Sequence, residues 1–311
     1  MHVAVFGTGA VGGYFGGRLA EAGSDVAFIA RGRQLRALRD DGLTVESPDG
    51  DLRIAPARAT DDPAEVGTVD LVIVGTKAWQ VAEAGRALRP MIGPGTSVLP
   101  LQNGVEASAE LARELGEEHV LGGMCKIAAE VAAPGRIRHM GVDPVVVFGE
   151  LDNRRTDRVE ALKRAFDDAR GVHAEIAPDI QAAVWRKFLF IVAVSGIGAI
   201  TRVPIGAFRA VPETRDLLIR VMEEVHDVAR ARGIHLGADP IEHTLAFIDE
   251  LPEGATASMH RDIVAGRPSE LEYQNGAVVR LGQAAGVDTP LNRFLYHALL
   301  PAERLARRET R

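Results

Sequence analysis

The stretch "HVAVFGTGAVGGYFGGRLAEAG", residues 2–23, decides the fold of this 311-residue chain. Its apolar start, "HVAVF", stops at a glycine, as a buried parallel strand does, and a helical pattern follows as far as Gly23. Between them, "GTGAVG" places Gly7, Gly9 and Gly12 around Thr8, Ala10 and Val11. Glycines at this spacing permit a tight turn and a close approach to a pyrophosphate, which then faces the N–H groups of the helix. We therefore expect a dinucleotide to bind at residues 7–12.

The alternation of strands and helical patterns continues to about residue 177. Strands are predicted at 25–30, 69–77, 96–104, 144–150 and in "VHAEIAP", with a hairpin-like segment near 43–54 and a last helix at 154–170. This order is typical of βαβ units, so the sequence predicts an α/β N-terminal domain, 1–177, with a Rossmann-type doubly wound parallel sheet.

The remainder, 178–311, is predicted to be an all-helical substrate-binding domain that begins at Pro178. Helices are expected at 179–200, 213–232, 240–250, 256–265, 270–286 and 291–308. An interdomain cleft would then be the place where a substrate meets the cofactor.

The end of the second strand favours NADP(H) over NAD(H). An NAD site usually has an acidic residue there, which bonds the ribose 2′-hydroxyl. Here the sequence is "FIARGRQLR", with Arg31 at the strand end and no acid before Asp40. A guanidinium can hold a 2′-phosphate with paired hydrogen bonds, whereas a carboxylate would repel it.

Composition narrows the class of protein. The formal charge of −7 gives no reason to expect nucleic acid or an anionic membrane as a partner. The single cysteine, Cys125, suits a reducing cytoplasm, and the N-terminus lacks the basic region of a secretory signal. The histidines form no HExxH pattern and there is no CxxC pair, so no metal site is expected.

A lysine at the edge of an apolar run raises a question of function. Lys187 in "WRKFLFIVAVSGIGAIT", residues 185–201, precedes fourteen uncharged residues, a run too short to span a bilayer and better suited to a buried core helix. Its amine could simply extend into solvent. It could also serve chemistry, because hydride reduction of a ketone leaves negative charge on oxygen and needs a proton there.

Five ordered motifs give the chain a resemblance to the ketopantoate reductases (2-dehydropantoate 2-reductases), enzymes of pantothenate biosynthesis. They are "GTGAVGGYFGGRLAEAG", "VGTKAWQV", "LQNGVE", "VWRKF" and "ASMHRDIVAGRPSELEYQNGAVV". The resemblance implies NADPH-dependent reduction of a 2-oxo acid, with Lys187 as general acid and Glu270 as its acidic partner, also in contact with the cofactor.

The same resemblance implies further site residues. Lys77 and Asn103 match residues at the junction of cofactor and substrate, Ser258 matches the serine that holds the substrate carboxylate, and Ala129 matches a cofactor contact. Four of the candidates also have a structural interpretation. Lys77 could simply face solvent after its strand, and Asn-Gly at residue 103 suits a turn. Ser258 suits a helix cap and Glu270 the first turn of a helix.

The chain departs from the family pattern on the helix that follows Lys187. The family has asparagines one turn and two turns on, and another in the following loop, where this chain has Ile191, Ser195 and Ile205. We therefore expect the substrate-binding positions Ile191 and Ser195 to favour a 2-oxo acid with an apolar tail. A substrate hydroxyl without a partner there would cost roughly 1–3 kcal/mol.

Two alternatives stay open. One is a dehydrogenase of the 3-hydroxyacid or 6-phosphogluconate type. That group tends to pair its lysine with an asparagine four residues on, and Ile191 at this position argues against it. The other is an NADP-sensing binding protein without turnover, against which the retention of both Lys187 and Glu270 speaks. Apolar helix faces in the second domain could serve a homodimer or the core, so the oligomeric state, like the physiological substrate, stays undecided.

Overall fold

The computed structural model describes residues 1–309, and the chain divides into two compact units. The first comprises Met1–Gln102 and Glu106–Ile180. The second comprises the tripeptide Asn103–Val105 and the chain from Gln181 onward.

The first unit is built of strands and helices in alternation. Its strands are β1 (His2–Phe6), β2 (Asp25–Ile29), β3 (Leu43–Glu46), β4 (Leu52–Ile54), β5 (Arg58–Thr60), β6 (Leu71–Val74), β7 (Ser97–Pro100), β8 (Leu121–Lys126), β9 (Ala129–Ala133), β10 (Arg136–His139), β11 (Val145–Glu150) and β12 (His173–Ile176). Its helices are α1 (Ala10–Glu21), α2 (Gly32–Asp40), α3 (Val81–Leu88), α4 (Ala107–Leu115) and α5 (Asp157–Asp167).

A five-stranded parallel sheet in the order β5-β2-β1-β6-β7 forms the centre of this unit. Successive residues of each strand enter different cores, because side chains alternate across a sheet. Val3 and Val5 of β1 belong to one hydrophobic cluster, while Ala4 and Phe6 belong to another. Burial on both faces is what a doubly wound sheet requires, and the predicted fold class is confirmed.

Helix α1 packs against two sheets at once. A Cβ added at Gly16 would lie 2.5 Å from a methyl carbon of Val5 in the parallel sheet. A Cβ added at Gly13 would lie 2.9 Å from Ile137 of β10, in a second sheet of order β4-β3-β10-β9. The glycine pairs of "GGYFGG" therefore let the helix approach a sheet on either side.

The strand predicted at 144–150 does not extend the parallel sheet as expected. It is β11, the middle strand of a separate sheet of order β12-β11-β8, in which it pairs antiparallel with β8. An isolated parallel bridge from Val98 of β7 to Val120 connects the parallel sheet to the start of β8.

The second unit is helical, as predicted. Its helices are α6 (Ile180–Thr201, whose first residue belongs to the first unit), α7 (Ile205–Ala210), α8 (Pro212–Ala231), α9 (Pro240–Glu250), α10 (Ser258–Val264), α11 (Asn275–Ala285) and α12 (Pro290–Glu309). The helix predicted at 270–286 begins only at Asn275, after a 3₁₀ turn at Leu271–Tyr273. Helix α7 is too short to give a clear periodic pattern and was not predicted.

Helix α6 is longer than its uncharged run. Among the residues that the structure describes, it alone is long and apolar enough, by length and composition, to cross a membrane. However, 72% of its most apolar window is buried. Trp185, Phe188 and Leu189 lie in the core of the second unit, together with side chains of α8 and α11. These contacts favour the predicted core helix.

Candidate active site

The glycine-rich loop between β1 and α1 has the geometry of an anion cradle. Gly7 has φ +94°, a conformation that favours glycine, and its N–H donates to the carbonyl of Ile29 at 3.1 Å. Thr8 donates to the same carbonyl through its hydroxyl, at 3.2 Å. The loop is thus fixed to the end of β2.

The residues present fit a dinucleotide. A Cβ at Gly12 would lie 2.3 Å from the carbonyl oxygen of Gly7, so a side chain there would close the turn. A Cβ at Gly9 would meet no described atom within 4 Å, which leaves the backbone open to a ligand. Ala10 and Val11 begin α1, and N–H groups in this first turn have no acceptor within the helix. They are suited to bind a pyrophosphate.

Arg31 lies at the start of α2, directly after β2, with its side chain 67% exposed. Its Nη1 contacts Oε1 of Glu83 on α3 at 3.2 Å. The guanidinium is therefore accessible at the expected end of the second strand, but it is paired with a carboxylate that sequence reasoning did not single out.

Lys77 follows β6 at the carboxyl end of the parallel sheet, where ligands of open α/β sheets bind. The residue is exposed, and its Nζ lies 5.9 Å from the centroid of the Trp79 ring. Gln102 fixes the preceding turn, because its amide donates to the carbonyls of Val74 and Thr76 at 2.8 and 3.1 Å. Sequence reasoning missed Gln102, although an amide directly before Asn103 in "LQNGVE" was a signal.

Ala129 lies apart from the parallel sheet. It is the first residue of β9, half-buried, and pairs with His139 of β10 in the second sheet. Its strand packs against α1.

Within the second unit, Asn103 and Glu270 come together over 167 positions of sequence. The amide nitrogen Nδ2 of Asn103 donates to Oε2 of Glu270 at 3.1 Å. Glu270 is only 5% exposed, so its carboxylate is buried and partnered. The structural interpretation of Asn103 as a plain turn residue does not account for this contact.

The turn that carries Glu270 is also held by α12. The Tyr296 hydroxyl donates to the Glu272 carboxylate, which also pairs with Arg280. Burial, together with the hydrogen bond to Glu272, raises the pKa of Tyr296 to about 12. The phenol therefore stays a hydrogen-bond donor at neutral pH.

Lys187 lies on α6, half-buried. Among the described residues its amine makes no hydrogen bond or ion pair, and no contact joins it to Glu270. Arg186, beside it in the chain, is exposed.

The positions that replace the family asparagines differ in environment. Ile191 is half-buried on α6, whereas Ser195 is fully buried and its hydroxyl has no hydrogen-bond partner among the described residues. Ile205 begins α7 at 3% exposure and packs in the core of the second unit. Of these three residues, only Ile191 is partly exposed.

Ser258 is the first residue of α10 and half-buried. It is not the cap of that helix, because Ala257 occupies the cap position. Helix α10 lies against α6, since a Cβ at Gly198 would be 2.8 Å from the His260 ring. Among the side chains that the structure describes, no group of three or more His, Cys, Asp or Glu could hold a metal ion.

Comparison with known proteins assigns both parts of the chain to one family. The model "Ketopantoate reductase PanE/ApbA" matches residues 3–153, and the model of the C-terminal part of the same family matches residues 179–303. The chain belongs to the ketopantoate reductase family. The predicted resemblance is thereby confirmed.

Individual relatives of the family cover nearly the full length. A 2-dehydropantoate 2-reductase of a Nostoc species is 30% identical over 300 residues, which are 95% of this chain and 93% of the relative. The crystal structure of a PanE/ApbA family ketopantoate reductase from Ralstonia eutropha JMP134 superposes with a TM-score of 0.90, at 32% identity, covering 99% of this chain and 100% of that one.

A third relative differs in what it binds. The structure of D-mandelate dehydrogenase with NADH and anilino(oxo)acetate superposes with a TM-score of 0.87, at 25% identity, covering 98% of this chain and 99% of that one. Membership in the ketopantoate reductase family supports an oxidoreductase that acts on a CH–OH group and uses a nicotinamide cofactor.

Proposed function

We propose that this protein reduces a 2-oxo acid to the 2-hydroxy acid with NADPH, in the cytoplasm. The observation that carries the proposal is the buried carboxylate of Glu270, held by the Asn103 amide in the unit that also contains Lys187. Burying a carboxylate is costly, and a buried carboxylate held by an amide that is distant in sequence supports a functional role for the pair.

In this proposal Lys187 is the general acid. When bound, the reduced nicotinamide supplies hydride to the carbonyl carbon, and negative charge develops on the carbonyl oxygen. The half-buried Lys187 amine donates a proton to that oxygen. By the family pattern Glu270 is the acidic partner of Lys187 in the same site, where Asn103 holds its carboxylate.

The first unit is proposed to bind NADP(H). Residues 7–12 would hold the pyrophosphate and Arg31 the 2′-phosphate, for which its exposed guanidinium is accessible. By the family pattern Lys77, Asn103, Ala129 and Glu270 also contact the cofactor. The domains are proposed as 1–177 for the cofactor and 178–311 for the substrate.

The substrate is proposed to be a 2-oxo acid with an apolar side chain rather than ketopantoate. Ile191 offers only apolar atoms where the family has an asparagine, and Ile205 is part of the core. Ser258 is proposed to hold the carboxylate. The structure of the D-mandelate dehydrogenase relative contains NADH and anilino(oxo)acetate, a ligand with an aromatic group, and this supports the proposal.

The test is a kinetic panel followed through loss of NADPH absorbance. Ketopantoate, its unhydroxylated branched analogue and phenylglyoxylate are compared, and Lys187→Met is measured beside Arg186→Met, its exposed neighbour. We expect Lys187→Met to lower kcat by about 10²–10⁴-fold, the usual contribution of a positioned proton donor. Arg186→Met should change kcat little.

Each part of the proposal can fail separately. If ketopantoate is turned over faster than both apolar acids, the proposed substrate class is refuted, but the proposed reductase activity stands. Full activity of Lys187→Met would refute the role of Lys187 as the general acid. NADPH binding without turnover of any 2-oxo acid would instead indicate a sensor.

A further inference from the structure

The residue that precedes Glu270 is clamped by the last helix of the second unit. Ser269 is 0% exposed and lies against Glu303 of α12, which is itself 4% exposed. A buried glutamate outside the proposed site needs partners, because an unpaired buried charge is strongly destabilising.

Those partners are the polar groups of Ser269. Its N–H lies 3.1 and 3.0 Å from the two carboxylate oxygens of Glu303, and its hydroxyl donates to Oε2 at 2.6 Å. Arg307, one turn further along α12, contacts Glu303 Oε1 through Nε at 2.6 Å and donates to the Ser269 carbonyl at 2.9 Å. Both ends of the Ser269 backbone are thus bonded to one helix.

The clamp determines where Glu270 lies. The Ser269 hydroxyl also accepts the N–H of Leu271 at 3.3 Å, so the backbone is held on both sides of Glu270. At its other end the Glu270 side chain is held by Asn103. A carboxylate fixed at both ends has little freedom to rotate.

We infer that Glu303 and Arg307 are positioning residues that act on the reaction through Glu270. This inference rests on the proposed function, because it assumes that the Glu270 carboxylate takes part in turnover. Neither residue is placed in contact with substrate or cofactor; they fix the backbone from which Glu270 projects.

The test is a double-mutant cycle in the full-length protein, with Glu303→Gln, Glu270→Gln and their combination. Glu303→Gln keeps the shape of the side chain but puts an amide N–H against the Ser269 donors. We expect it to lower kcat by roughly 10-fold to 100-fold, since misplacement by about 1 Å can cost that much. In the Glu270→Gln background the same change should add less than about 2-fold.

A milder second variant guards against loss of folding. Arg307→Lys keeps the charge but loses the paired N–H groups of the guanidinium, and it should show the same dependence on Glu270. Arg308→Met, an exposed neighbour on α12, is the matched control and should leave kcat unchanged.

The outcomes separate the two proposals. Equal losses of kcat in both backgrounds would show that the clamp only maintains the fold, and would overturn the inference while the role of Glu270 stands. Full activity of Glu270→Gln would overturn that role and the inference together.

Discussion

Arg31 illustrates which features of the candidate site can be predicted from a single residue and its neighbours in sequence. Its type and place at the end of β2 could be predicted, because strand ends and glycine turns leave clear local patterns. Its pairing with Glu83, 52 positions away, could not, since nothing local to either residue indicates it. The Asn103–Glu270 contact could not be predicted from local sequence for the same reason. Only the resemblance to the family identified both residues as candidates.

The exposure of the Arg31–Glu83 pair matters for cofactor choice. With side chains 67% and 58% exposed, the pair contributes only about 0–1 kcal/mol. A 2′-phosphate can therefore take the guanidinium from Glu83 at little cost.

Removing the guanidinium should thus change cofactor preference. Hydrogen bonds to charged groups contribute about 1.5–3 kcal/mol, so we expect Arg31→Ala to lower kcat/KM for NADPH by roughly 10-fold to 100-fold. The value for NADH, which has no 2′-phosphate, should change little. Steady-state kinetics with both cofactors measures this, with Arg39→Ala as control because Arg39 already bonds the Ala59 carbonyl. Equal losses with both cofactors would contradict the assignment.

At the scale of elements, the strands and helices with strong patterns could be predicted and the weakly patterned ones could not. Strand β9 is largely exposed and reads "AEVAA", and β5 has three residues, so neither gives a buried alternating pattern. The shortened start of α11 has a tertiary cause: contacts from α12 hold Ser269 and stabilise a 3₁₀ turn where local preference favours a helix.

Gln274, between that turn and α11, lowers the stability of the folded state. It is 0% exposed, and neither polar atom of its side-chain amide has a hydrogen-bond partner among the described residues. An unsatisfied buried polar group costs about 1–3 kcal/mol. Nothing in the sequence marks this position as buried and polar.

Replacing the amide with an apolar side chain of similar size should therefore stabilise the protein. We expect Gln274→Leu to raise the free energy of unfolding by about 1–3 kcal/mol in urea titration. Gln283→Leu, an exposed position on α11, is the control and should be close to neutral. A loss of stability in Gln274→Leu would mean that the amide is satisfied in solution.

At the scale of the whole molecule, burial of His260 couples stability to pH. The residue is 5% exposed, and burial, reinforced by the nearby charges of Arg261 and Arg202, lowers the pKa of its ring from the ordinary 6.5. The unfolded chain therefore binds this proton more readily than the folded one. Stability is lost as the pH falls through about 6.5 toward the lower folded-state pKa.

His260→Gln should remove this contribution. We expect its free energy of unfolding to fall less than that of the wild type between about pH 7.5 and about pH 5.5. Urea unfolding at both pH values measures the difference, and the exposed His243→Gln should keep the wild-type slope. Identical slopes for His260→Gln and the wild type would contradict the explanation.

The tripeptide Asn103–Val105 has a consequence for anyone who wishes to recombine this family. Its neighbours on both sides belong to the first unit, yet Val105 packs in the second core and Asn103 bonds Glu270. In a chimaera joined at residue 180, residues 103–105 would come from one parent protein and the C-terminal helices from the other. Exchanging these three residues together with the C-terminal helices would keep the contacts of Asn103 and Val105 native.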